Sequence, residues 1–75
     1  MSFTFYSKPG CPQCSVLKLK MDAAKVEYTH IEDENAIMEL GYKGAPVLIT
    51  DEGAFVGPAA IKWFTAWTKE HANGN

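Results

Sequence analysis

The chain has 75 residues, 47% of them hydrophobic, and carries a net charge of −2. That length sets a single domain over 1–75 with a small core, because a chain of this size buries only about 60% of the surface its unfolded form exposes. The acidic balance excludes the basic stripe of a nucleic-acid binder, no run approaches the ~18 apolar residues of a membrane span, and Met1-Ser2-Phe3-Thr4-Phe5 lacks the basic start and apolar stretch of a secretion signal. Strong β-formers alternate in the first segment, Phe3, Phe5 and Ser7 in one phase and Thr4 and Tyr6 in the other, which predicts a strand over 2–7. Lys8-Pro9-Gly10 ends it. Cys11 then takes the position before a helix and Pro12 the first helical position, where its missing N–H costs nothing. The helix is predicted over 12–25 with Leu17, Met21 and Ala24 on one face, Val16 and Leu19 widening that face, and Lys18 and Lys25 opposite.

A second strand is expected over 26–31, with His30 near its end. The acidic, capping stretch Asp33-Glu34-Asn35 opens a short helix over 35–40 that Gly41 and Gly44 terminate. Val47-Leu48-Ile49 reads as a buried strand, Asp51-Glu52-Gly53 as a turn, and Ala54-Phe55-Val56 as the strand that returns antiparallel to it. Gly57-Pro58 opens the last helix. Ile61, Phe64 and Thr68 lie along one face, with Ala60, Trp63 and Trp67 along the adjacent one as core or half-buried residues. The tail over 71–75 is expected to fray. The order is βαβαββα. A crossover helix makes the first two strands parallel, and the hairpin adds an antiparallel pair. The fold class is therefore α/β, a four-stranded mixed sheet with helices on both faces.

The chemistry concentrates in Cys11-Pro12-Gln13-Cys14. A Cys-x-x-Cys pair beside a βαβ pattern reads as a redox motif. At a helix N-terminus the free N–H groups and the macrodipole favour a thiolate, the attacking species in disulfide exchange, and Lys8 adds a positive charge nearby. Cys14 is a helix neighbour one turn further in, less exposed and suited to resolving a mixed disulfide. Zinc binding would require about four ligands, and only two cysteines and two distant histidines are present. A structural disulfide across so short a loop constrains the unfolded chain little. Two inert buried cysteines are the remaining alternative. In a reducing cytoplasm a disulfide is transient and catalytic. Lys8, Lys18, Lys20 and Lys25 make the first third more positive, and acidic residues dominate from Glu27 to Glu39.

The segment Tyr6-Ser7-Lys8-Pro9-Gly10-Cys11-Pro12-Gln13-Cys14 resembles the active-site segment of glutaredoxins, and Gly44-Ala45-Pro46-Val47-Leu48-Ile49 resembles their second loop. Length and element order fit the same glutaredoxin-like branch of the thioredoxin fold. Within it, Gln13 before the second cysteine and Ala45-Pro46-Val47 look like NrdH-redoxins. Members of that group take electrons from thioredoxin reductase and pass them to ribonucleotide reductase. Ordinary glutaredoxins use glutathione. Val56-Gly57-Pro58-Ala59-Ala60 departs from the Gly-Gly-acid segment of glutaredoxins and also lacks the Trp, Phe and Arg of NrdH-redoxins. The resemblance implies a cis peptide bond before Pro46, a substrate backbone paired beside Ala45, and partner contacts at Tyr6, Pro12, Gln13, Gly44 and Gly57. No bound cofactor is expected, glutathione being the alternative reductant, and the small size suggests a monomer. A non-catalytic binding module on the same fold and an iron–sulfur cluster shared through Cys11 are the other expectations to weigh.

Overall fold

Alternation along the first segment builds the central strand. In the computed structural model, which describes residues 2–71, β1 spans Phe3–Ser7, and Phe3, Phe5 and Ser7 are buried while Thr4 and Tyr6 are half-buried on the other side. The remaining elements are α1 (Pro12–Ala23), β2 (Tyr28–Glu32), α2 (Glu34–Glu39), β3 (Val47–Thr50), β4 (Gly53–Val56) and α3 (Pro58–His71). The sheet order is β2-β1-β3-β4. β1 pairs parallel with β2 and antiparallel with β3, and β3 pairs antiparallel with β4. This is the mixed α/β sheet expected from the element order. No helix among the described residues is long and apolar enough to cross a membrane.

Register decides which residues share a face. Phe5 lies opposite Leu48, and Tyr6 opposite Val47. Phe3, Phe5 and Leu48 join Cys14, Leu17 and Met21 of α1 and Ala60 and Phe64 of α3 in one core. The short α2 packs against β1 and contributes the buried Ile37. Phe3 anchors α3 through edge-on contacts with Trp63, Phe64 and Trp67 at centroid distances of 6.2, 5.8 and 5.3 Å. Pairs of that geometry add about 0.5–1.5 kcal/mol beyond the area they bury. Trp63 and Trp67 are half-buried, as their helical spacing implies.

Several expected boundaries move, each for a local reason. α1 ends at Ala23, and Lys25 leaves the helix at φ 60°. The Val26 amide donates to the Met21 carbonyl at 3.4 Å and the Lys25 amide to the Asp22 carbonyl at 3.1 Å. This is a Schellman closure with a lysine at its left-handed position. Val26 is consumed by it, so β2 starts at Tyr28 and His30 sits mid-strand. α2 ends in the same way with Gly41 at φ 93°, the Tyr42 amide reaching the Ile37 carbonyl at 3.2 Å. It starts at Glu34, one residue earlier than expected, because the Asp33 carboxylate accepts from the Asn35 amide at 2.9 Å. Gly53 pairs with Thr50 and joins β4, leaving Asp51-Glu52 as a two-residue turn. Val16 and Leu19 do not widen the buried face of α1 but are 43% and 70% exposed. At about 100° per residue, Leu19 lies about 200° round the helix from Leu17, on the far side. His71, expected in the frayed tail, is the last residue of α3, and the rest of that tail, 72–75, lies outside the described residues.

The two helix closures give paired predictions. A non-glycine residue in the left-handed region costs about 1–2 kcal/mol, partly offset by the unfolded-state freedom that glycine adds. Lys25→Gly is therefore expected to stabilise the fold by about 0.5–1 kcal/mol, and Gly41→Ala to destabilise it by about 1 kcal/mol. Urea midpoints of the two variants, measured at unchanged slope, check both signs.

Candidate functional site

The site begins where β1 stops. Gly10, at φ 73°, turns the chain so that Cys11 can adopt extended dihedrals of −98° and 110° as the cap of α1, with Pro12 at the first helical position. The Ser15 amide then donates to the Cys11 carbonyl at 3.2 Å. The Cys11 side chain occupies the place usually taken by a capping oxygen, and its Sγ accepts from the Cys14 amide at 3.1 Å. Cys14 is 5% exposed and belongs to the core, whereas Cys11 packs half-buried at its edge. Their Cα atoms are 5.3 Å apart and their sulfurs are joined as a disulfide.

A second loop meets the cysteines on the same core. Ala45, like Cys11, packs half-buried against it, the Ala45–Pro46 peptide bond is cis, and Pro46 is fully buried. The Pro46 carbonyl accepts from the Gly57 amide at 2.8 Å. Gly57 is buried at φ 64°, and a side chain there would begin 3.9 Å from the Gln13 Oε1. The Gly57 turn thus stands next to both the proline loop and Gln13 of the cysteine segment.

A cavity of about 370 Å³ opens beside the disulfide, lined by Lys8, Gly10, Pro12 and both cysteines among others. A second, of about 320 Å³, is lined by Lys8 and Gly44 together with Ile37, Met38 and Tyr42. The Lys8 ammonium stands between them but is shared with Glu34, 3.9 Å away. Tyr6 lines neither cavity. The disulfide cavity is also bordered by residues that the sequence did not nominate for the site, among them Ser7, Ser15, His30 and Glu32. One signal for them was available. Ser7 falls in the buried phase of β1, and a buried hydroxyl requires a hydrogen-bond partner. That partner is His30, whose Nε2 is 2.7 Å from the Ser7 Oγ.

Lys18 also lines this cavity and pairs with Asp22 at 3.0 Å. The Tyr28 hydroxyl donates to the other Asp22 oxygen at 2.7 Å. That bond first, and the Lys18 bond second, hold the Asp22 carboxyl below its ordinary value. The hydrogen bond to Asp22 holds the Lys18 ammonium above its own. Burial first, and Asp22 second, push the Tyr28 phenol up. Among the described residues no cluster of three His, Cys, Asp or Glu side chains is placed to hold a metal ion.

No family model matches the chain. Two proteins named glutaredoxin-like protein NrdH, from Lactococcus lactis subsp. cremoris (strain MG1363) and subsp. lactis (strain IL1403), are each 33% identical over 60 residues, covering 72% of this chain and 83% of theirs. The chain belongs to the glutaredoxin-like NrdH family. It is accordingly a thiol–disulfide redox protein. Among solved structures, the glutaredoxin-like protein NrdH-redoxin from Escherichia coli matches with a TM-score of 0.72 at 21% identity, over 88% of this chain and 93% of that one. The fold of this NrdH-family chain is thus the thioredoxin fold.

The capping geometry of this NrdH-family site makes a direct prediction. A sulfur that accepts an amide bond at a helix N-terminus is favoured as the thiolate, and such thiols titrate at about 3.5–7.5 in place of the usual ~8.5. In the reduced protein, the pH profile of Cys11 alkylation by iodoacetamide is expected to have its midpoint in the lower range. A midpoint at the ordinary thiol value would show that the cap does not activate Cys11.

Proposed function

We propose that the chain is a dithiol electron carrier in which Cys11 attacks and Cys14 resolves. The observation that carries this reading is the asymmetry of the pair: Cys11 Sγ sits half-buried at the helix cap, accepting from the Cys14 amide, while Cys14 is sunk in the core. The Cys11 thiolate attacks a substrate disulfide, forming a mixed disulfide and releasing one substrate thiolate. Cys14 attacks Cys11 Sγ, the Cys11–substrate bond breaks, and the Cys11–Cys14 disulfide forms. Two electrons pass from the dithiol to the substrate. Lys8 adds positive charge near the reacting sulfurs. The backbone of Ala45 before Pro46 pairs with an extended segment of the partner, and Tyr6, Pro12, Gln13, Gly44 and Gly57 flank that segment. No bound cofactor takes part.

The proposed electron source is thioredoxin reductase and the proposed acceptor ribonucleotide reductase, in the cytoplasm. Support comes from 33% identity to proteins named NrdH and from the thioredoxin-like activity profile of the Escherichia coli NrdH-redoxin. The Gly57-Pro58-Ala59-Ala60 segment, which carries no acid, supports it further, because a glutathione amine finds no carboxylate there. Paired NADPH-oxidation assays with a protein disulfide as substrate test the reading. Turnover is expected with thioredoxin reductase and not with glutathione plus glutathione reductase, and Cys11→Ser is expected to abolish it. Turnover with glutathione alone would make the chain a thioltransferase. No turnover in either assay would leave a binding module.

A further inference from the structure

The core of this site contains a polar pair that the exchange reaction, as written above, does not use. Ser7 is 4% exposed and is the last residue of β1. Its hydroxyl lies 2.7 Å from the Nε2 of His30 on the neighbouring strand. The imidazole is fixed by stacking on Phe5, with ring centroids 4.8 Å apart and planes 8° from parallel. His30 is itself exposed. The pair therefore runs from the interior to solvent, and both residues border the cavity that Cys11 and Cys14 also line. At about 370 Å³ that cavity has room for waters that carry a proton across it.

Resolution creates a demand that such a pair meets. Cys14 is buried, and burial disfavours a thiolate. To attack the mixed disulfide it must lose its proton at neutral pH. Histidine is the side chain whose ordinary titration lies nearest to neutrality.

We propose that His30, acting through Ser7, takes the Cys14 proton during resolution and returns it to solvent. With the imidazole neutral and its proton on Nδ1, Nε2 accepts from the Ser7 hydroxyl. The Cys14 proton crosses the cavity to Ser7 Oγ as the Ser7 proton passes to His30 Nε2. The Cys14 thiolate attacks Cys11 Sγ, the Cys11–substrate bond breaks, and the electron pair leaves on the substrate sulfur, which is protonated by water. His30 then loses its proton to bulk solvent. His30 is a positioning residue for the proton and touches neither sulfur. The charged and titratable groups around it are Lys8, Lys18 and Glu32 on the cavity wall, Tyr28 with its ring centroid 6.3 Å away, and Asp22 beside Tyr28.

The inference rests on the dithiol reading, and one experiment separates their failures. Reduced protein is mixed with dithiobis(nitrobenzoate) in a stopped-flow instrument. Cys11 attack releases one chromophoric thiolate, and Cys14 closure releases a second. For the unmodified protein, the second phase is expected to rise with pH in a single step. His30→Gln and Ser7→Ala are each expected to slow that phase at least about 10-fold near neutrality and to remove this pH step, with the first phase within about 2-fold. The first phase doubles as a control for folding. If either variant keeps the original second phase, or both phases slow equally, the relay is overturned. An unmodified protein with no second phase would overturn the dithiol reading itself.

Discussion

The structure turns on one contact: the Cys11 sulfur accepting the Cys14 amide at the start of α1. A helix begins with amides that have no partner inside it. Serine, threonine or aspartate oxygens usually satisfy one of them. Here a sulfur does so, and the same geometry that completes the helix biases that sulfur toward negative charge. The second cysteine supplies the amide. It therefore lies one turn into the helix, on the buried face with Leu17 and Met21. Capping and the unequal burial of the two cysteines follow from a single arrangement of four residues.

The rest of the fold holds that arrangement in place. β1 delivers the chain to Gly10 at the edge of the core, and the parallel partner β2 brings His30 alongside Phe5. The aromatic contacts of Phe3 pin α3 against the sheet, so that the turn at Gly57 meets both the Pro46 carbonyl and Gln13. A small domain has little burial to spare. This one concentrates it in a continuous core that includes Cys14, so that sulfur sits among residues that the fold needs for stability.

Features set by neighbouring residues were legible in the sequence. Proline at the start of α1 and α3 and the alternation in β1 each act within a few residues, and the structure places them as expected. The Cys-x-x-Cys motif identified the sulfurs for the same reason. The left-handed Lys25 was not legible, because a lysine at that position carries no glycine signal, and the shift of β2 followed from it. The exposure of Val16 and Leu19 depends on where α1 turns relative to the sheet and α3, which no single helix encodes. The Ser7–His30 pair joins residues 23 apart in the chain. Only the parallel register of β1 and β2 brings them together, and the one hint was a hydroxyl in the buried phase of a strand.

The central claim is that the two sulfurs have fixed and different tasks set by their positions at the cap and in the core. The most direct measurement is to react reduced Cys14→Ser protein with an insulin disulfide and map the adduct by mass spectrometry. The account predicts a stable mixed disulfide at Cys11, with Cys11→Ser protein yielding almost none through Cys14. Equal trapping at either cysteine would contradict it.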